Sequence, residues 1–222
     1  MDTPVIVLVL AKAPRAGLVK TRLCPPATPR QAAQVAAASL MDTLEAVVAT
    51  PGARPVLAMA GDLDDAEAAP QLRRMLDGIP VVRQRGAGLG ERIAAAHSDA
   101  AALFPGQAVL QIGMDTPQVT PSLLDSCRCS LAAPDVDAVL GPADDGGWWL
   151  LGLRDPRCAA AITSVPTSRA DTGERTFDAL RDSGLRVCPL PRLSDVDTFD
   201  DARAVAAALP GSRFASAVGD IG

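Results

Sequence analysis

Four cations fall within eleven residues of an otherwise acidic chain: Lys12, Arg15, Lys20 and Arg22. They follow the apolar run Val5 to Leu10 and enclose Gly17. Lysine offers a point charge to a phosphate and arginine a bidentate fork, and glycine lets the backbone come close. The loop therefore suits a phosphate chain, although a solvated basic loop has the same composition. It is no P-loop, because GxxxxGK[ST] is absent. Three glycines, Gly86, Gly88 and Gly90, precede a helical stretch and could leave amide donors open at its N-terminus, as an ordinary strand–helix turn also does. Further on, Gln111-Ile112-Gly113-Met114-Asp115-Thr116-Pro117 lets a strand exit into one carboxylate. Asp115 could hold a divalent ion across phosphate oxygens, or merely bond its own turn. The segment Gly141 to Trp149 sets Asp144, Asp145, Gly146, Gly147, Trp148 and Trp149 in a row. An Asp-Gly hairpin turn would explain the glycines but needs neither two acids nor two large aromatics, so the segment reads as an acceptor-side binding loop. Asp195 to Asp201 holds four acids around Thr198. It reads as a helix cap with acids on the dipole, from which Asp197 could also reach back as a second metal ligand.

The rest of the composition narrows the chemistry. The 222 residues contain one histidine, so a two- or three-histidine zinc site cannot be built. His97 lies in the Ala-rich stretch Glu91 to Leu103, away from any GxSxG motif, and reads as core. A metal would have to be held by carboxylates, whose hard oxygens favour Mg²⁺ or Mn²⁺. Five cysteines without a CxxC argue against a disulfide framework and a structural zinc site. The net charge of −5 argues against nucleic acid as a partner, while a small anion in a local basic pocket is compatible with it. Val5 to Ala11 is about a third of the ~20 apolar residues that a membrane span needs. It carries no basic leader or cleavage site, so the expectation is a cytoplasmic protein without a membrane span. Nothing in the sequence gives the oligomeric state.

These residues need elements to position them. Val5–Leu10 predicts a strand buried on both faces. Thr28, Pro29 and Gln31 predict a capped helix start, with the helix running to about Val48. Strands are expected at Pro55–Ala60, Pro80–Arg83, Ala108–Ile112, Ala138–Leu140, Trp148–Leu153 and Arg186–Leu190. Helices are expected at Pro70–Leu76, Leu89–Leu103, from Pro121, at Thr172–Asp182 and at Phe199–Leu209. The alternation predicts a mainly parallel sheet with helices on both faces. Ligands would then bind at the carboxyl ends of the strands, in the loops after Leu10, Arg83, Ile112 and Leu140. Residues 1–210 read as one domain and 211–222 as a loose tail. Trp148 and Trp149 should point to opposite faces, one into the core and one toward substrate.

The segments AKAPRAGLVKTRL, GAGLGER, IGMDTPQVTP, LGPADDGGWWLLGLR and DVDTFDD, spread from Leu10 to Ala202, carry a resemblance. In this order they resemble the selenodomain-associated transferases, often called glycosyltransferases, of the nucleotide-diphosphosugar transferase superfamily. More loosely they resemble the guanylyltransferases that activate phospholactate or phosphoenolpyruvate for deazaflavin coenzymes, where a K-T-R-L segment also follows the first strand. The resemblance implies the GT-A fold, a Rossmann-like α/β domain with a metal-assisted site for a nucleotide or nucleotide-sugar donor and a small-molecule acceptor. It implies Lys12, Lys20 and Arg22 on the phosphates, helped by Gly17, with Lys20 and Arg22 stabilising charge on the leaving phosphate. Gly88 and Gly90 would line the base or ribose. Asp115 would hold Mg²⁺ or Mn²⁺ with Asp197 completing the shell. Asp144, Asp145, Gly146, Gly147 and Trp148 would face the acceptor, with Asp145 as base for its hydroxyl. Two departures stand out: Gly113 replaces the first acid of the Asp-x-Asp of sugar-transferring members, and Ala11 to Ala13 replace the G-G-x-G-T-R opening of sugar nucleotidyltransferases. Sugar transfer to a small acceptor is the leading expectation. Nucleotidyl transfer to a phosphorylated acceptor with loss of pyrophosphate, and non-catalytic nucleotide binding, are the alternatives.

Overall fold

A computed structural model describes residues 4–221. Its first strand, β1 (Val5–Lys12), is buried at every position but the last. The unbroken apolar run has this cause: β1 is paired on both edges and covered on both faces. Parallel strands β2 (Ala53–Ala60) and β4 (Val109–Gly113) flank it, and β3 (Val81–Arg83) adds to β2 at the edge. On the other side, β6 (Trp148–Leu153) runs antiparallel to β4 and to β5 (Ala138–Pro142), and β7 (Val187–Pro189) pairs parallel with β5. The order is β3-β2-β1-β4-β6-β5-β7. The mainly parallel α/β expectation therefore holds, with β6 as the antiparallel member.

Strand alternation sorts the core into two layers. Val5, Val7 and Val9 join Leu40 and Leu44 of α1 (Pro29–Val48) and Leu124 of α4 (Pro121–Ala132). Ile6, Leu8 and Leu10 join Ile93 and Ala96 of α3 (Leu89–Leu103) and Leu180 of α5 (Thr172–Asp182). Short helix α2 (Ala69–Met75) adds Leu72 to the first layer, whereas α6 (Phe199–Ala208) buries Ala202 and Val205 in a third cluster. The predicted start of α1 is a full capping box: the Gln31 N–H donates to Thr28 Oγ1, and the Thr28 N–H donates to Gln31 Oε1.

One expectation is corrected. The segment after Pro210 is no loose tail: Arg213–Gly219 form α7, capped by Ser212, and Phe214 is fully buried. Phe214 and Val218, four residues apart, give the short helix one dry face. That face closes a third apolar cluster with Leu23, Val35, Val196 and Val205. Among the described residues no helix is long and apolar enough to cross a membrane.

Candidate functional site

The carboxyl ends of β1, β2 and β4 and the start of β6 open onto one cleft of about 530 Å³. A smaller cavity of about 260 Å³ lies under the basic loop and shares Lys12, Arg22, Asp115 and Asp197 with it. Backbone bonds hold the loop in place: Ala13 N–H donates to Ala60 O at 2.8 Å, and Glu67 N–H to Pro14 O at 2.9 Å. Its four cations then part company. Arg15 turns outward to Asp65 at 3.0 Å. Lys12 lines both cavities, and its ammonium donates to Leu18 O at 2.7 Å. Arg22 reaches Asp197 at 2.8 Å while staying mostly exposed. Lys20 is buried against Asp115 Oδ1 at 2.7 Å and donates to Val196 O.

The Asp-Gly-Gly turn delivers Asp145 to the cleft. Gly147 N–H donates to Asp145 Oδ1 at 2.7 Å. Gly146 adopts φ +85°, and a Cβ there would lie 1.9 Å from Ala170 O. Gly173 N–H donates to Gly146 O at 2.7 Å, so the turn is clamped backbone to backbone on the N-terminus of α5. These glycines therefore serve close packing as well as the turn. From the segment before α6 come Asp195 and Asp197. Their carboxylate oxygens and that of Asp145 all lie within 4.8 Å of one another. Burial, together with the charges of Asp145 and Asp197, pushes Asp195 up to about 6. Three acids this close repel, and a divalent cation would relieve that repulsion. Hard oxygen donors of this kind suit Mg²⁺ or Mn²⁺. The donor set thus fits a divalent ion.

Other residues singled out by the sequence stand apart from the three acids. Asp115 is outside the cluster, neutralised by Lys20. Asp144 accepts from Ser194 Oγ and does not line the cleft, because its backbone N–H is tied to Leu193 O at 3.1 Å. Gly90 is buried in α3, where a Cβ would lie 2.6 Å from Ile162 O; it packs the helix on the neighbouring 3-10 segment Pro156–Ile162. Gly88 is the exposed N-cap of α3 and Gly17 the exposed tip of the basic loop, and neither lines the cleft. The Ala87 amide beside Gly88 is already taken by Glu91 Oε2 at 2.7 Å. Trp149 is the core tryptophan, 3% exposed, with Nε1 donating to Pro191 O at 2.9 Å. Trp148 is half-buried and lines the cleft. His97 is fully buried and neither ring nitrogen has a hydrogen-bond partner among the described residues; burial pushes it down to about 3.

Among the cleft residues that escaped the sequence reading are Asp195, Arg92, Gln84 and Gln111. Gln84 Nε2 donates to Ala11 O at 2.9 Å and Ala58 O at 2.8 Å, which leaves Oε1 as a fixed acceptor. Gln111 is 3% exposed and its Oε1 has no partner among the described residues. A glutamine inside the apolar strand Val109–Gly113 was the available signal.

Comparison with solved structures gives whole-length matches. A protein of Desulfovibrio desulfuricans G20, provisionally called a nucleotide-diphospho-sugar transferase, is 26% identical with a TM-score of 0.84, over 98% of this chain and 95% of that one. A cytidylyltransferase of Leptospira borgpetersenii serovar Hardjo-bovis (strain JB197) is 13% identical with a TM-score of 0.59, over 99% and 94%. A CMP:2-keto-3-deoxy-manno-octonic acid synthetase complexed with CTP is 11% identical with a TM-score of 0.55, over 93% and 99%. At such identities the last two share the fold alone. No protein of curated function matches. The fold is that of the nucleotide-diphosphosugar transferases, and by the match of residues 43–169 the chain belongs to the family described as uncharacterized protein conserved in bacteria (DUF2064).

Proposed function

We propose that the chain is a metal-dependent transferase that uses a nucleotide-activated donor and moves a sugar from a nucleotide-sugar to a small acceptor. One observation carries the reading: Asp145, Asp195 and Asp197 meet within 4.8 Å in a cleft also lined by Lys12, Arg22 and Arg92. Carboxylates for a hard cation beside cations for phosphates are what a nucleotide diphosphate requires. Sugar transfer is supported by the whole-length likeness to the Desulfovibrio protein, and by the resemblance of five segments to selenodomain-associated transferases.

Asp145, Asp195 and Asp197 would hold Mg²⁺ or Mn²⁺. Bound there, the ion would neutralise charge on phosphate oxygens. Lys12, Arg22 and Arg92 oppose the charge that builds on the departing diphosphate. Gln84 Oε1 and the Gln111 amide receive polar groups of the donor. Gly147 and Trp148 line the acceptor side. Asp145, restrained by the Gly147 N–H, is assigned to the cation in preference to general base.

Gly113 favours a second reading, nucleotidyl transfer with release of pyrophosphate, because it stands where sugar-transferring members carry the first acid of Asp-x-Asp. A thermal-shift panel of nucleoside triphosphates, diphosphates and nucleotide-sugars, with Mg²⁺ or Mn²⁺, separates the two. A ligand at ~100 times its Kd stabilises by about 2.7 kcal/mol. We expect nucleotide-sugars and diphosphates to stabilise the wild type, and Asp195→Asn to lose the metal-dependent part. Stabilisation by triphosphates alone, with pyrophosphate released, would transfer the assignment to the second reading. No response to any nucleotide would sink both.

A further inference from the structure

Lys20 is the one cation of the basic loop with a buried side chain, 8% exposed. Its backbone is left-handed, φ 48° and ψ 36°, which L residues seldom adopt. Its ammonium is already used, by Asp115 Oδ1 at 2.7 Å and by the Val196 carbonyl. Asp115 in turn accepts the Val196 N–H on its own main-chain oxygen at 3.2 Å. Both backbone polar groups of Val196 are thus tied to the Lys20–Asp115 pair. The Val196 side chain, 1% exposed, is pinned in the same apolar cluster as Leu23. Val196 separates Asp195 from Asp197, the two acids that meet Asp145.

We infer that Lys20 is a positioning residue: by clamping Val196 it sets Asp195 and Asp197 against Asp145, and it does not contact the donor's phosphates. To reach a phosphate the ammonium would have to leave a carboxylate and a carbonyl that no other described side chain is seen to satisfy. The inference rests on the reading of the three acids as cation ligands.

The sign of one measurement separates the two roles of Lys20. Mn²⁺ alone is titrated into the nucleotide-free chain and free ion is followed by electron paramagnetic resonance. Removing a positive charge near three carboxylates should tighten Mn²⁺ if electrostatics were all. A lost clamp instead weakens it, by about tenfold or more in Lys20→Met, with part of the affinity restored in Lys20→Arg. Amide hydrogen exchange gives a readout that needs no metal: protection over residues 193–199 falls in Lys20→Met while β1 and β4 keep theirs. A wild type that binds no Mn²⁺ removes the cation reading, and the exchange pattern then decides the clamp by itself. Unchanged or tighter Mn²⁺ binding with unchanged protection, together with weaker nucleotide binding, overturns the inference and returns Lys20 to the phosphates. If Lys20→Met does not fold, Asp115→Asn keeps the shape of the pair, loses its charge, and takes the same two measurements.

Discussion

A buried amide without a partner costs about 1–3 kcal/mol, and Gln111 is such a group: 3% exposed, in β4, with Oε1 unbonded. Its strand neighbours in register, Leu8 and Leu151, are apolar, so packing alone would favour leucine there. The amide is best explained by the cleft that it lines. Gln111→Leu should therefore raise the denaturant midpoint by the equivalent of about 1–2 kcal/mol, and weaken the stabilising nucleotide about tenfold. A destabilised variant, or one with intact nucleotide binding, would separate the residue from the ligand. Single residues were unevenly legible in the sequence. Asp145, Asp197, Arg22 and Lys12 stood out because charged types clustered in loops at strand ends, and all four line the cleft. Asp195 was passed over because the acids around Thr198 also make a sound helix cap, which they do: Thr198 and Asp201 form a capping box. The resemblance puts Lys20 on the phosphates, since its charge is visible in the sequence and its partners are not. Asp115 and Val196 meet it only once β1, β4 and the segment before α6 are assembled.

At the scale of elements, α3 shows how one face can be legible and its contents misleading. Its span, Leu89–Leu103, was read from glycines and an Ala-rich run, and the helix has those limits. The glycines suggested a ligand; Gly90 instead admits Ile162 O, a contact between segments far apart in sequence. The same inward face holds His97, fully buried and unbonded at both nitrogens, which burial pushes down to about 3. The sign follows from linkage. Below its ordinary value near 6.5 the unfolded chain takes up a proton that the folded chain refuses, so stability falls as pH falls. The slope is about 1.4 kcal/mol per pH unit from this one group, or about 2 kcal/mol between pH 6.5 and pH 5. His97→Leu, which fills similar space without a polar atom, should remove that slope and leave the acid limb set by carboxylates alone. Chemical denaturation of both chains at pH 7.5, 6 and 5 measures it. Parallel pH dependences for the two would mean that His97 is protonated, and therefore partnered, in the folded state.

For the molecule as a whole, a mainly parallel sheet with helices on both faces was within reach of the sequence, because strand and helix patterns alternate along the chain. The third apolar cluster was not. It joins Leu23 of the basic loop, Val35 of α1, Val196 of the acid segment and Phe214 of α7, and no short window of sequence joins the first two of these to the last two. Yet this cluster ties the C-terminus to the site. Phe214 N–H donates to Asp42 Oδ2 at 2.9 Å, and Arg213 bridges Asp42 and Glu45 of α1. The ring is thereby held in the cluster that contains Val196, the residue between two of the acids. Loss of the ring should cost about 3–5 kcal/mol, which for a chain of this size lowers Tm by roughly 10 °C. If α7 only adds stability, Phe214→Ala should leave Mn²⁺ affinity intact at temperatures where the variant remains folded. If α7 also braces Val196, that affinity should fall several-fold. Leu180→Ala supplies the comparison, since Leu180 is equally buried but belongs to the α3–α5 face of the sheet. We expect both variants to lose stability and Phe214→Ala alone to lose Mn²⁺. Equal Mn²⁺ affinities in the two would confine α7 to holding the fold, and leave the bracing of Val196 to the Lys20–Asp115 pair.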